Sequence, residues 1–141
     1  MLDRQIDRAI DPTAVRGIGY EPTYSGVPSL FRRPFSTTPG GADIAVLGVP
    51  LDLATTNRPG ARFGPRAVRA ASTNLSWDGA SWPWGFDPFL ALEVTDCGDC
   101  FFDPGHPTEI VPAIEGRATE LMSGGASLVS IGGDHFISYP L

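Results

Sequence analysis

The side chains of this 141-residue sequence that could do chemistry fall into a few short segments. One is Gly132-Gly133-Asp134-His135. A glycine pair lets the backbone turn tightly after an apolar run, so the imidazole of His135 is placed to ligate a metal, with the Asp134 carboxylate able to orient it from behind. A hydrogen-bonded surface or core histidine is the alternative, and one His without a completing cluster holds no catalytic metal. Asp96 and Asp99, three apart, could be paired carboxylates for acid–base work or metal binding. Asp at a strand end beside Gly is more commonly a turn-former whose side chain caps backbone N–H groups. Cys97 and Cys100 bracket the same turn. A redox pair needs a helix start to lower the thiol pKa, and a zinc site that recruits His106 is still one ligand short. Two ordinary thiols are expected. The loop Asn57–Pro65 is glycine-rich and cationic but lacks both the P-loop Lys and the G-x-G-x-x-G spacing. It reads as a rim loop in which Arg58 and Arg62 make local hydrogen bonds.

These segments sit on alternating elements. Asp43–Val49 is a continuous apolar, β-branched run, the mark of a strand buried on both faces. Gly64–Ala71 opens a helix, with Pro65 suited to its first position. Leu92–Thr95 reads as a second strand ended by Asp96–Asp99. Thr108–Ser123 is the strongest helix, with Ile110, Ile114, Ala118 and Leu121 in one stripe and Gly124-Gly125 as its stop. Ala126–Ile131 is a third strand. Ser76–Pro88, with three Trp, reads as a long aromatic loop. Residues 1–41 are rich in Gly, Pro, Ser and Thr and read as an irregular arm, anchored by burial of Leu30-Phe31 with Arg32 and Arg33 as a solvated pair. Residues 42–141 carry the βαβ pattern, hence a parallel sheet covered by helices. Right-handed crossovers bring every strand-to-helix loop to the carboxyl edge, where ligands of open α/β sheets bind.

Composition narrows the class. Hydrophobic residues make up 42% and charged residues 18%, an ordinary globular balance. All ten basic residues are Arg, and the net charge is −6. That argues against a nucleic-acid partner and is compatible with a cationic small molecule. The apolar runs are too short to span a bilayer, and no secretory signal is visible. A cytoplasmic protein without a membrane partner is expected.

Taken together and in order, the segments resemble one family. Gly48-Val49-Pro50-Leu51-Asp52-Leu53-Ala54-Thr55, Arg58-Pro59-Gly60-Ala61-Arg62-Phe63-Gly64-Pro65 and Ala67-Val68-Arg69 are similar to the first strand–loop–helix of the ureohydrolase (arginase/agmatinase) family. Ser72–Trp77 and Trp82–Asp87 resemble the following loop of its bacterial agmatinase members. Asp96-Cys97-Gly98-Asp99 and Gly132-Gly133-Asp134-His135-Phe136 continue in family order. The resemblance implies a three-layer α/β/α fold with a parallel sheet (arginase/deacetylase-like), here incomplete. It implies a centre of two manganese ions, with His135 as a metal ligand and Asp134 as its supporting carboxylate. Two metal ions sharing a water generate hydroxide near neutral pH, which would attack the guanidinium carbon of agmatine and release urea and putrescine. Two further ligand motifs of the family, D-A-H-x-D and D-x-D-x-x-D-P, do not occur before Leu141. The expectation is therefore the amino-terminal part of a homo-oligomeric enzyme, inactive alone and without catalytic residues of its own. Another ureohydrolase, such as a guanidinobutyrase or guanidinopropionase, and a catalytically silent truncated product are the alternatives.

Overall fold

The computed structural model describes residues 24–77, 83 and 85–141. Residues 1–23 of the expected arm, and Trp82 and Trp84 of the aromatic loop, lie outside the described residues. Three parallel strands, β1 (Ile44–Val49), β2 (Val94–Asp99) and β3 (Ser127–Gly132), form a sheet in the order β2-β1-β3. Two helices, α1 (Gly64–Ser72) and α2 (Pro107–Met122), make the crossovers.

The apolar run of β1 takes the central position, and Ala45 through Val49 are buried. Successive residues of a strand point to opposite faces. Ala45, Leu47 and Val49 join Ile110, Ile114 and Leu121 of α2 in the core, with Leu51, Cys97, Cys100 and Ile137 around them. The expected stripe of α2 is the face it buries, including Ala118. Gly125 ends that helix with a φ of 90°, donating its N–H to Met122 O at 2.9 Å.

The opposite face of the sheet, under α1, is held by charge. Buried Arg69 donates from Nε and Nη2 to the two oxygens of Asp96, at 2.7 and 2.8 Å. Its Nη1 reaches Asp99 Oδ1 at 2.5 Å, and Nη2 also reaches Gly98 O at 2.9 Å. Asp96 is 0% exposed. Burial opposes the charge on Arg69, but the hydrogen bonds to Asp96 and then Asp99 outweigh it and raise the guanidinium pKa.

A bulge makes this possible. Ile44, Ala45 and Val46 pair with Val94, Thr95 and Asp96, yet Gly48 pairs with Asp99. Two residues of β1 are matched by three of β2, so residues three apart on β2 share a face. Asp96 and Asp99 therefore both meet Arg69, while Cys97 and Cys100 both enter the core against α2. Gly48 completes the fit, since a Cβ there would lie 1.8 Å from Asp99 Oδ1.

This corrects the expected end of β2 at Thr95. The strand runs through Asp99, because a salt-bridged carboxylate is tolerated at a buried strand position. Asp96 does accept the N–H of Gly98, as a turn-former would, but its main partner is Arg69.

The stretch before β1 is corrected too. Arg32 and Arg33 are buried, not solvated. Arg32 donates to Ser25 O at 2.5 Å, and the Arg33 guanidinium lies 4.6 Å from the Phe89 ring centroid. Leu30 and Phe31 are only half-buried, and their amides do the anchoring: Leu30 N donates to Asp96 Oδ2 and Phe31 N to Ser72 Oγ. Phe31 and Arg32 have φ values of 48° and 55°, a conformation that costs roughly 1–2 kcal/mol for each residue with a Cβ. The contacts to Asp96, Ser72 and Ser25 impose it. Beyond them, Asp96 N donates to Pro34 O and Ser36 N to Asp96 O, which covers the outer edge of β2.

β3 is less buried than β1. Its residues are exposed or half-exposed, Val129 at 44%, and no described strand pairs with its outer edge.

Removing Arg69 leaves Asp96 as a buried, uncompensated charge. Arg69→Met in the full polypeptide should lower unfolding stability by about 3–5 kcal/mol in a denaturant melt. A loss comparable to that of an exposed pair, below about 1 kcal/mol, would show that the pair does not hold β2.

Candidate functional site

The loops after β1, β2 and β3 meet at the carboxyl edge, as the right-handed crossovers require. After β3 the chain turns through Gly132-Gly133 into a short 3-10 helix, His135–Ser138. Gly133 fits against the loop after β1, where a Cβ would lie 2.5 Å from Val49 O and 2.6 Å from Leu51 O. No other residue type fits that approach. Asp134 N then donates to Leu51 O at 2.9 Å.

Asp134 is buried, and its carboxylate is occupied by backbone amides. Oδ2 accepts from Leu53 N at 2.7 Å and Ala54 N at 2.8 Å, and Oδ1 caps the 3-10 helix by accepting from Phe136 N at 2.9 Å. The next residue, His135, is exposed at the edge. Asp134 thus positions the backbone that carries His135 and binds the loop after β1 to it.

The other end of that loop has a similar device. Asp52 Oδ2 accepts from Gly60 N at 2.5 Å and Arg62 Nε at 3.1 Å. The Gly60 amide holds the Asp52 carboxyl below its usual range; burial pushes it up, and Arg62 adds to the lowering. Its Oδ1 is buried without a hydrogen-bond partner among the described residues. Between the two carboxylates, residues 53–59 are all exposed. Of the two rim arginines, Arg62 makes the expected local bond, while Arg58 stands exposed in the loop.

A cavity of about 390 Å³ lies between this loop and the loop after β2, lined among others by Leu51, Asp52, Arg62, Asp99 and Phe101. Asp99 is half-exposed there, but its Oδ1 is committed to Arg69. The structure therefore brings Asp96 and Asp99 together as acceptors for a guanidinium, not as a free acid–base or metal pair.

Cys97 and Cys100 are free and buried, and burial pushes both thiols above their ordinary pKa, Arg117 opposing it for each. His106, the third ligand that a zinc reading needed, is exposed and bonded through Nδ1 to Asp103 at 2.9 Å. Such thiols are unreactive. Both should label with a disulfide reagent at pH 8 about tenfold or more slower in the native full polypeptide than after unfolding. Equal rates would place them outside the core.

Among the described residues, no three His, Cys, Asp or Glu side chains converge so as to hold a metal ion. These residues alone do not make a manganese site. His135 is available as one donor, whereas both Asp134 oxygens already accept backbone amides.

Comparison with known proteins fits this arrangement. Residues 42–141 match the arginase family, and the chain belongs to that family. It is 47% identical over 143 residues to an agmatinase from Chromobacterium violaceum, covering 100% of this chain and 44% of that protein. A solved hypothetical agmatinase from Burkholderia thailandensis superposes with a TM-score of 0.80 at 52% identity, over 86% of this chain and 38% of that one. A proclavaminate amidino hydrolase from Streptomyces clavuligerus gives a TM-score of 0.77 at 32% identity, over 85% and 39% of the two chains. The chain thus spans less than half the length of these relatives. Its parallel sheet, with a helix on either face, is part of their α/β fold.

The sequence placed His135 and Asp134 in the turn after the third strand, where the structure has them. Sequence reasoning missed Arg69 and Asp52. Arg69 was hidden by an ordinary amphipathic helix pattern, while the D-C-G-D spacing was visible without the bulge that explains it. Asp52 had a signal, an acidic residue just after a buried strand and eight before a glycine in a cationic loop.

Proposed function

We propose that the full polypeptide carrying these residues is a manganese-dependent amidinohydrolase that cleaves the guanidinium group of agmatine to urea and putrescine. The observation that carries this reading is the 47% identity to an agmatinase across 100% of the chain. The position of His135 supports it, exposed at the carboxyl edge on a turn fixed by Gly133 and Asp134. Manganese, when bound, would supply a nucleophilic hydroxide near neutral pH. An imidazole nitrogen of His135 would be one ligand, and the other donors come from beyond the described residues. Asp134 would keep the histidine backbone in place. The net charge of −6 suits a cationic substrate.

A second reading is hydrolysis of a different guanidino compound. It is favoured by the likeness to a proclavaminate amidino hydrolase at a TM-score of 0.77. The two readings share the bond that is cleaved and differ in what lies at the far end of the substrate.

The test is urea release by the full polypeptide from agmatine, arginine and 4-guanidinobutyrate, with and without manganese. Agmatine should be preferred, and activity should need the metal. His135→Ala should lower manganese affinity and activity by about a hundredfold or more. Preference for 4-guanidinobutyrate would favour the second reading, and no urea from any of the three would remove both.

A further inference from the structure

The exposed loop after β1 has an architecture beyond what metal binding by His135 requires. Seven consecutive residues, 53–59, are exposed, and they include Thr55, Thr56, Asn57 and Arg58. A loop this polar would ordinarily be mobile at its ends. In this fold both ends are fixed by buried carboxylates: Asp134 holds the amides of Leu53 and Ala54, and Asp52 holds the amide of Gly60. Asp134 directly precedes His135, and its own amide is bonded to Leu51 O. One carboxylate therefore sets the position of the loop and of the histidine relative to each other.

From this we infer that Asp134 is a positioning residue for substrate recognition: it seats the Leu53–Pro59 loop beside His135 as a wall that contacts the part of a guanidino substrate remote from the cleaved bond. The inference rests on the amidinohydrolase reading. Its physical content is that both oxygens of Asp134 serve backbone amides of the loop and the turn, so the carboxylate acts on geometry and not on the electronics of the imidazole. The hydroxyls, amide and guanidinium of residues 55–58 are the groups the loop presents. The hydroxyls and the amide suit hydrogen bonding to a polar substrate tail.

Two measurements on the full polypeptide test this. The first is hydrogen exchange of the unsubstituted protein, where the amides of Leu53 and Ala54 should be protected about a hundredfold over those of Thr55–Asn57. The second is steady-state kinetics of Asp134→Asn, which keeps size but cannot accept at both oxygens. At saturating manganese, KM should rise about tenfold or more, a larger factor than any rise in the manganese activation midpoint. Unprotected Leu53 and Ala54 amides would overturn the inference whether or not the variant folds. So would a shifted manganese midpoint with unchanged KM, which would assign Asp134 to the metal instead. Failure of the amidinohydrolase reading shows separately, as absence of urea release by the wild-type protein.

Discussion

The guanidinium of Arg69 sits between two carboxylates of one strand, and the rest of the structure is arranged to allow it. An ion pair this buried is costly unless every donor and acceptor is used. Asp96 meets that condition with Arg69, Leu30 N and Gly98 N. The bulge in β2 brings Asp99 onto the same face, and Gly48 leaves the space it needs. The same extra residue turns Cys97 and Cys100 into the core on the other side. A segment that looked like a reactive C-x-x-C and a carboxylate pair is thus explained by one device. It joins α1, β2 and the chain before β1 into one unit.

The carboxyl edge repeats the logic with backbone donors. Asp134 and Asp52 each satisfy amides of the loop after β1, which has no regular hydrogen-bonding partners of its own. Gly133 allows the two loops to approach backbone to backbone. His135 is therefore presented from a rigid turn although its side chain is exposed. Sites held in this way keep a ligand in position before the metal or substrate arrives.

Much of this was legible in the sequence, for identifiable reasons. The apolar run of β1 and the stripe on α2 are periodic signals, and both elements lie within a residue or two of the expected bounds. The parallel arrangement followed from their alternation. The extent of β2 was not legible, because polar residues at a strand end read as a turn until Arg69 is known to lie over them. Arg32 and Arg33 misled for the same reason: their burial depends on contacts that no local pattern signals, the Phe89 ring for Arg33 and Ser25 O for Arg32. Charged residues are assigned to the surface by default, and only tertiary contacts reverse that. At the site, the position of His135 was legible, whereas the work of Asp134 on the neighbouring loop was not, since a hydrogen bond to residues 80 and 81 positions away leaves no local trace.

The central proposal is that His135 ligates manganese in the full polypeptide. The most direct measurement is a crystal structure of that polypeptide grown with manganese, with anomalous scattering recorded above and below the manganese edge. The account predicts an anomalous peak within coordination distance of an imidazole nitrogen of His135, with Asp134 still bound to the amides of Leu53 and Ala54. Manganese peaks in the molecule with His135 outside their coordination shell would contradict it.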